Sequence, residues 1–336
     1  MCACHVAVVG ATGLVGQEVL RVLEERDFPL SDLTLLTSAH SEGTRLEFRQ
    51  RSVMARLLTR DAFTGVNIAF FAAGEAPSRD YAASAVQAGA VVIDSSSAFR
   101  LEPTVPLCVP EINADALRQH QGIVAIPHSL TTQVGMVLAP LHAAAPLTRV
   151  LVSTYQGISG RGQRAVREFD QQLRDLLNFR PVQSEVLPHQ IAFNCLPQGG
   201  EFLDNTYTEE EMALSNETRK LLGIPELAIA ATVVYVPLVH SHCASVYLET
   251  AQPLGVQAVR DLLAQTPGVI VEDDYHHLRY PQAIQANSQD EVFVGRIRAD
   301  LSVAHGLHLW VAMDNLRKGA ALNAVQVAEH LIKLQG

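Results

Sequence analysis

Apolar residues gather in short blocks through the first third of the chain, and the blocks alternate between two periods. Residues 5–9, 33–37, 66–73, 90–94 and 123–126 are apolar runs of strand length. Between them, Leu20 and Leu23 and the stretch 81–88 follow helical spacing. Such alternation predicts a parallel sheet with helices on both faces.

After position 129 the rhythm changes. A helix is expected over about 132–143 and a strand over 149–154. The strand runs into the glycine-rich turn Tyr155-Gln156-Gly157-Ile158-Ser159-Gly160-Arg161-Gly162, and a helix carrying Val166, Phe169 and Leu173 follows. Further β-rich segments fall at 228–239, 245–249, 269–271, 292–298 and 307–311, so strands outnumber helices and a mixed sheet with one covered face is expected. Residues 198–211, with Gly199-Gly200 and Glu209-Glu210-Glu211, read as a long loop. The last element, about 316–334, is an amphipathic helix. The expected class is α/β, with a dinucleotide-binding domain over 1–128, an α+β domain over 129–315 and a C-terminal helix over 316–336.

Composition narrows the choice. A chain of 336 residues that is 48% hydrophobic and 18% charged builds large cores. A net charge of −10 argues against nucleic acid or an anionic membrane surface as partner, and no apolar run is long enough to span a bilayer. The five cysteines are scattered and no signal peptide is visible, which points to a reducing cytoplasm. Cys2, Cys4 and His5 match no standard zinc spacing, so no metal is expected.

The first chemistry-bearing motif is Gly10-Ala11-Thr12-Gly13-Leu14-Val15-Gly16, set between a strand and a helix. Glycines there let the backbone approach a pyrophosphate, whose charge the helix N-terminus favours. The second strand ends in Thr37-Ser38-Ala39-His40, without the acid that grips an NAD ribose. Two readings stand: Ser38 and Arg45, with His40 when protonated, serve a 2′-phosphate and hence NADP, or the segment is an ordinary polar turn.

With the glycine loop, Pro127-His128-Ser129 and the 155–160 turn in hand, the chain resembles aspartate-semialdehyde dehydrogenase over nearly its full length. Further matching stretches are 91–100, Val109-Pro110-Glu111-Ile112-Asn113, 191–198, Ser245-Val246-Tyr247 and 314–324. The lettering is also similar to the "Usg" branch, paralogues that lack the catalytic cysteine. The resemblance implies a homodimer made by the second domain and a final helix returning to the first. It implies catalysis in which a thiolate attacks the aldehyde, hydride passes to NADP and phosphate releases the acyl group. By the same resemblance, the nucleophile position falls on Ser129, the supporting glutamine on Gln156 and the catalytic histidine on His242. The arginine that grips the substrate carboxylate falls on Tyr235, and phosphate and substrate contacts fall on Arg100, Glu217 and Lys220. Cofactor contacts fall on Gly10, Thr12, Gly13, Leu14, Val15, Gly16, Ser38, Gly74 and Asn315, and the cofactor-side serine loop falls on Gly74-Glu75-Ala76-Pro77.

Three departures concentrate on chemistry. Ser129 offers a hydroxyl where a thiolate is needed. Tyr235 replaces a guanidinium fork with a phenol. Glu75 is expected to place a carboxylate near the dinucleotide, where it repels phosphate. The expectation is therefore a catalytically impaired member that keeps its dimer, a weak NADP site, and a site for phosphate or a small acidic metabolite where Arg100 and Lys220 converge. The rival is a working NADP-dependent oxidoreductase with altered substrate or mechanism. Cys243, beside His242 on a strand, is expected to face away from it. His242 itself also reads as a hydrogen-bonded core histidine.

Overall fold

The computed structural model describes residues 3–335. The chain divides into two compact units, Met1–His128 with Gly319–Gly336, and Ser129–Lys318.

The first unit opens with β1 (Cys4–Val9), α1 (Leu14–Glu25) and β2 (Leu30–Thr37). A small hairpin, β3 (Arg45–Phe48) and β4 (Arg51–Met54), precedes the short β5 (Arg56–Leu57). Then come β6 (Ile68–Phe71), α2 (Glu75–Gln87), β7 (Val91–Asp94), α3 (Pro110–Asn113) and β8 (Ile123–Ala125). The sheet order is β5-β2-β1-β6-β7-β8, all pairs parallel. The order reverses between β1 and β6, the switch point at which such sheets open a ligand crevice beyond their strand ends. Sequence periodicity did not show the hairpin, whose strands alternate too briefly to stand out.

The second unit begins at α4 (Ser129–Ala144) and β9 (Leu147–Gln156), then α5 (Gly162–Leu177) and α6 (Glu209–Leu222). It continues through β10 (Ala228–Thr232), β11 (His242–Thr250), α7 (Val256–Ala264), β12 (Val269–Val271), α8 (Ala283–Ala286), β13 (Val292–Ala299) and β14 (Gly306–Met313). Its sheet, β10-β9-β11-β14-β13-β12, is antiparallel at the centre and parallel at both ends. Helix α4 crosses the middle strands and α6 and α7 cover the flanks of the sheet. On β9, buried Val150, Val152, Thr154 and Gln156 alternate with half-exposed or exposed Leu151, Ser153 and Tyr155, the period-2 signature of a sheet with one covered face.

Two expected boundaries move. The acidic run Glu209-Glu210-Glu211 is the first turn of α6 rather than the end of a loop. Glu211 reaches back to accept the Thr208 N–H at 2.8 Å, one half of a capping box, and three carboxylates sit at the positive end of the helix dipole. Helix α4 starts at Ser129, three residues earlier than its apolar spacing suggests.

Helix α9 (Leu322–Gln335) belongs to the first unit. Its Leu322, Val325, Ala328 and Leu331 are buried in one core with Val6, Val8, Leu20 and Leu23. Its Asn323 donates to the Cys108 carbonyl at 2.9 Å.

Candidate functional site

In the first unit the glycine loop lies at the sheet's switch point. Gly10 has φ +82°, and a Cβ there would lie 2.6 Å from the Ala72 carbonyl oxygen, so the end of β1 and the segment after β6 approach too closely for any side chain. Gly16 is held as tightly, since its Cβ would overlap the Gly10 carbonyl. Gly13 is the N-cap of α1, which Leu14 and Val15 open. Thr12 and Thr37 hydroxyls meet at 3.1 Å, tying the loop to the end of β2, where Ser38 follows. His5 is occupied in the sheet, with its ring nitrogens on Gly65 O and Thr34 Oγ1, and Cys2 lies outside the described residues.

Gly74 caps α2 at φ +91°, and Glu75-Ala76-Pro77 form the first turn of that helix, not a loop. Glu75 is not a bare negative charge. Ser97 Oγ donates to it at 2.7 Å and Arg79 Nε at 2.8 Å, and these two bonds lower its pKa. Its charge is therefore paired with the Arg79 guanidinium on the same helix. Arg100 is buried and donates to the carbonyls of Ile126 (2.9 Å) and Ser95 (2.8 Å), so part of its fork braces its own unit. Arg100 falls in the first unit and Lys220 in the second.

In the second unit, one edge of the sheet gathers most of the remaining candidates. His242 begins β11 and pairs with Gln156 at the end of β9 and Met313 at the end of β14. Helix α4 is tied to these strand ends by its second turn, where Gln133 Nε2 donates to the His242 carbonyl at 2.8 Å and to Val311 O at 3.2 Å. Ser129 lies one turn before Gln133, hence on the same helix face. Its hydroxyl makes no hydrogen bond among the described residues.

The His242 ring is fully buried, and its Nδ1 accepts the Gly157 N–H at 3.1 Å. A backbone N–H can only donate, so in the neutral ring the proton resides on Nε2. The same Gly157 N–H is shared with the Ser241 carbonyl at 3.0 Å, so Nδ1 takes half of a bifurcated bond that favours the Nε2–H form of the neutral ring. The geometry is enforced from behind. Asn315 Oδ1 accepts the Ser241 N–H at 2.9 Å, its amide also bonds Ser159 Oγ at 3.0 Å, and Ser241 holds φ +70°, a left-handed conformation costly for a non-glycine residue. Asn315 therefore spends its amide on positioning the turn and the histidine.

Gln156, fully buried, donates through Nε2 to Glu210 Oε2 at 2.8 Å, and Tyr235 Oη donates to Glu210 Oε1 at 2.8 Å. Burial, and then the Glu210 carboxylate, push the Tyr235 phenol well above its ordinary range, so it stays a donor. Arg161 Nη1 stands 4.0 Å from Glu210 Oε1. Glu217 and Lys220 lie on α6, one turn apart, and the helix packs on α4. Neither Glu210 nor Arg161 was singled out by sequence. The Thr208-x-x-Glu211 capping signature would have placed Glu210 on a helix, but nothing in the lettering shows that this helix meets Tyr235.

Cys243, one residue on, lines an open cavity of 720 Å³ on the opposite sheet face with Tyr155, Ser245 and Trp310. Burial pushes its thiol up to about 12, which removes it as a relocated nucleophile.

The semialdehyde dehydrogenase NAD-binding domain matches residues 5–120, and the semialdehyde dehydrogenase dimerisation domain matches residues 138–318. The aspartate-semialdehyde dehydrogenase of Bacillus subtilis is 46% identical, over 98% of this chain and 98% of its own. The chain belongs to the aspartate-semialdehyde dehydrogenase family. The Legionella pneumophila member is likewise 46% identical, over 97% of this chain and 95% of its own. The crystal structure of aspartate semialdehyde dehydrogenase II complexed with ASA from Vibrio cholerae superposes with a TM-score of 0.96 at 40% identity, covering 99% of both chains. Family membership confirms the two-domain α/β architecture and gives the second unit a dimerisation fold.

Proposed function

We propose that this chain is a cysteine-less, Usg-type paralogue of the family that recognises NADP and a small acidic metabolite, an amino-acid semialdehyde or its relative, without completing phosphorylating oxidation. The observation that carries the reading is the proton arrangement around Ser129. A serine nucleophile needs a base to take its proton. Ser129 has no hydrogen-bond partner among the described residues, and the His242 ring turns its Nδ1 to the Gly157 N–H rather than to Ser129. An acyl ester on serine, if formed, also resists phosphate more than a thioester does.

The preference for NADP over NAD rests on the end of β2, where Thr37 and Ser38 stand in place of an acid, with exposed Arg45 close by in sequence. On the family pattern, Lys220 of the second unit is assigned to a phosphate or acidic group, and Arg100 of the first unit carries the same kind of assignment separately. A homodimer through the second unit is supported by the dimerisation domain and by the open sheet face with Tyr155, Trp310 and Tyr247. No helix among the described residues is long and apolar enough to cross a membrane. The proposed cytoplasmic setting rests on the cysteine usage, four described thiols left unbridged.

The test is NADPH formation by purified protein with aspartate semialdehyde, NADP and phosphate, beside an equilibrium titration of NADP. The expected result is NADP binding with no turnover above the blank. Robust turnover would establish the working enzyme instead.

A further inference from the structure

The polar cluster at the end of β9 contains more recognition chemistry than a structural ion pair needs. Glu210 is almost enclosed, its side chain 14% exposed, and it already accepts from Tyr235 and Gln156. Arg161 is the solvent-side member, with its side chain 34% exposed. At 4.0 Å its pairing with Glu210 is long for a charge-assisted hydrogen bond, and its guanidinium also meets the Tyr235 phenol. A guanidinium has five N–H donors, so these two contacts leave part of the fork for a ligand.

A second observation points to a ligand. Gln156 is fully buried, and its Oε1 has no hydrogen-bond partner among the described residues. Turning the amide over would not relieve this, because it would set Oε1 against the Glu210 carboxylate. A buried amide oxygen without a donor is costly, and a ligand N–H would relieve it. The backbone carries both features toward the histidine. A Cβ on Gly160 would lie 3.4 Å from His242 Nε2 and 3.7 Å from Tyr235 Oη, so the residue before Arg161 is wedged between imidazole and phenol.

We propose that Arg161 is the carboxylate-recognising residue of this site, taking the α-carboxylate of an amino-acid ligand whose ammonium faces Gln156 Oε1 and Glu210. The phenol at position 235 then acts as a positioning group that fixes Glu210, while the guanidinium approaches from the glycine turn. This rests on the preceding reading that the edge of the second unit receives the ligand, and not on the absence of turnover.

The experiment measures equilibrium binding of three stable probes to the full chain by calorimetry: L-homoserine, L-homoserine amide (no carboxylate) and 4-hydroxybutyrate (no ammonium). L-Homoserine is expected to bind at least about tenfold more tightly than its amide, the scale of one charge-assisted bond. Arg161→Ala should reduce that ratio to below about twofold while leaving affinity for the amide unchanged. Arg161→Gln provides a second variant of similar volume and should behave alike. If Arg161 merely neutralises Glu210, both variants would weaken all three probes together and leave the ratio intact, which overturns the inference. Failure of the wild type to bind L-homoserine and 4-hydroxybutyrate overturns it too. Turnover by the wild type would sink the preceding reading alone, since the ratio is read at equilibrium.

Discussion

The two polar regions of this protein are held in place by different physics. At the glycine loop of the first unit, Gly10 and Gly16 have backbone where a Cβ would go, so sterics alone dictates their identity. At the strand ends of the second unit, backbone geometry is equally well enforced, by Asn315, Ser241 and the Gly157 N–H, while on the proposed reading Ser129 and Tyr235 stand where the resemblance would put a thiol and a guanidinium. Positions fixed by packing keep their residues whether or not the chain turns over. Positions fixed by reactivity can change once reactivity is no longer required. Family resemblance in the scaffold therefore says little about the reaction.

The largest expected effect tests whether the nucleophile alone separates the two edges. Ser129→Cys should introduce phosphate-dependent NADPH formation from aspartate semialdehyde at least about a hundredfold above wild type, because losing a covalent nucleophile commonly costs several orders of magnitude. Continuous absorbance at 340 nm reads it. A silent variant that still binds NADP would show that the second edge has lost more than its thiol.

Next in size is the steric edge. Gly10→Ala should weaken NADP binding about tenfold or more and destabilise the chain by about 1–3 kcal/mol, from the left-handed φ and the Ala72 clash together. Titration and thermal unfolding check it, and unchanged binding would mean that the loop no longer holds a nucleotide. A smaller effect is expected from Tyr235→Phe, which removes one donor from Glu210 and should cost about 1–2 kcal/mol in chemical denaturation.

The smallest effect is a rate contrast among native thiols. Exposed Cys195 should react with iodoacetamide at pH 8, while Cys243 should not. With its pKa raised to about 12, Cys243 carries only about one thiolate in ten thousand at that pH, and its reactivity should rise only as pH approaches 12. Mass spectrometry of the labelled peptides decides it, and rapid labelling of Cys243 would reopen the case for a relocated nucleophile.

Much of the frame was legible in the sequence because it depends on period. The parallel strands of the first unit, the alternation on β9 and the apolar stripe of α9 all follow from residue spacing. So did the opposite facing of His242 and Cys243, which the cavity on the far side of the sheet bears out. What escaped was set by tertiary partners. Glu75 looked like an isolated charge because Ser97 is twenty-two residues away. Glu210 looked like part of a solvated acidic loop because Gln156 and Tyr235 approach it from other elements. The tautomer of His242 depends on one backbone N–H that no side-chain pattern could reveal.

Helix α9 has a consequence for biogenesis. The first unit's core is filled by Leu322, Val325, Ala328 and Leu331, residues synthesised after the whole of the second unit. During translation the N-terminal sheet must wait, with Val6, Val8 and Leu20 short of their packing partner, while residues 129–318 are made and can fold as a continuous segment. The order of maturation thus runs opposite to the order of synthesis. A chain truncated near residue 318 and released would keep every strand of the second unit and leave the nucleotide fold without its last helix.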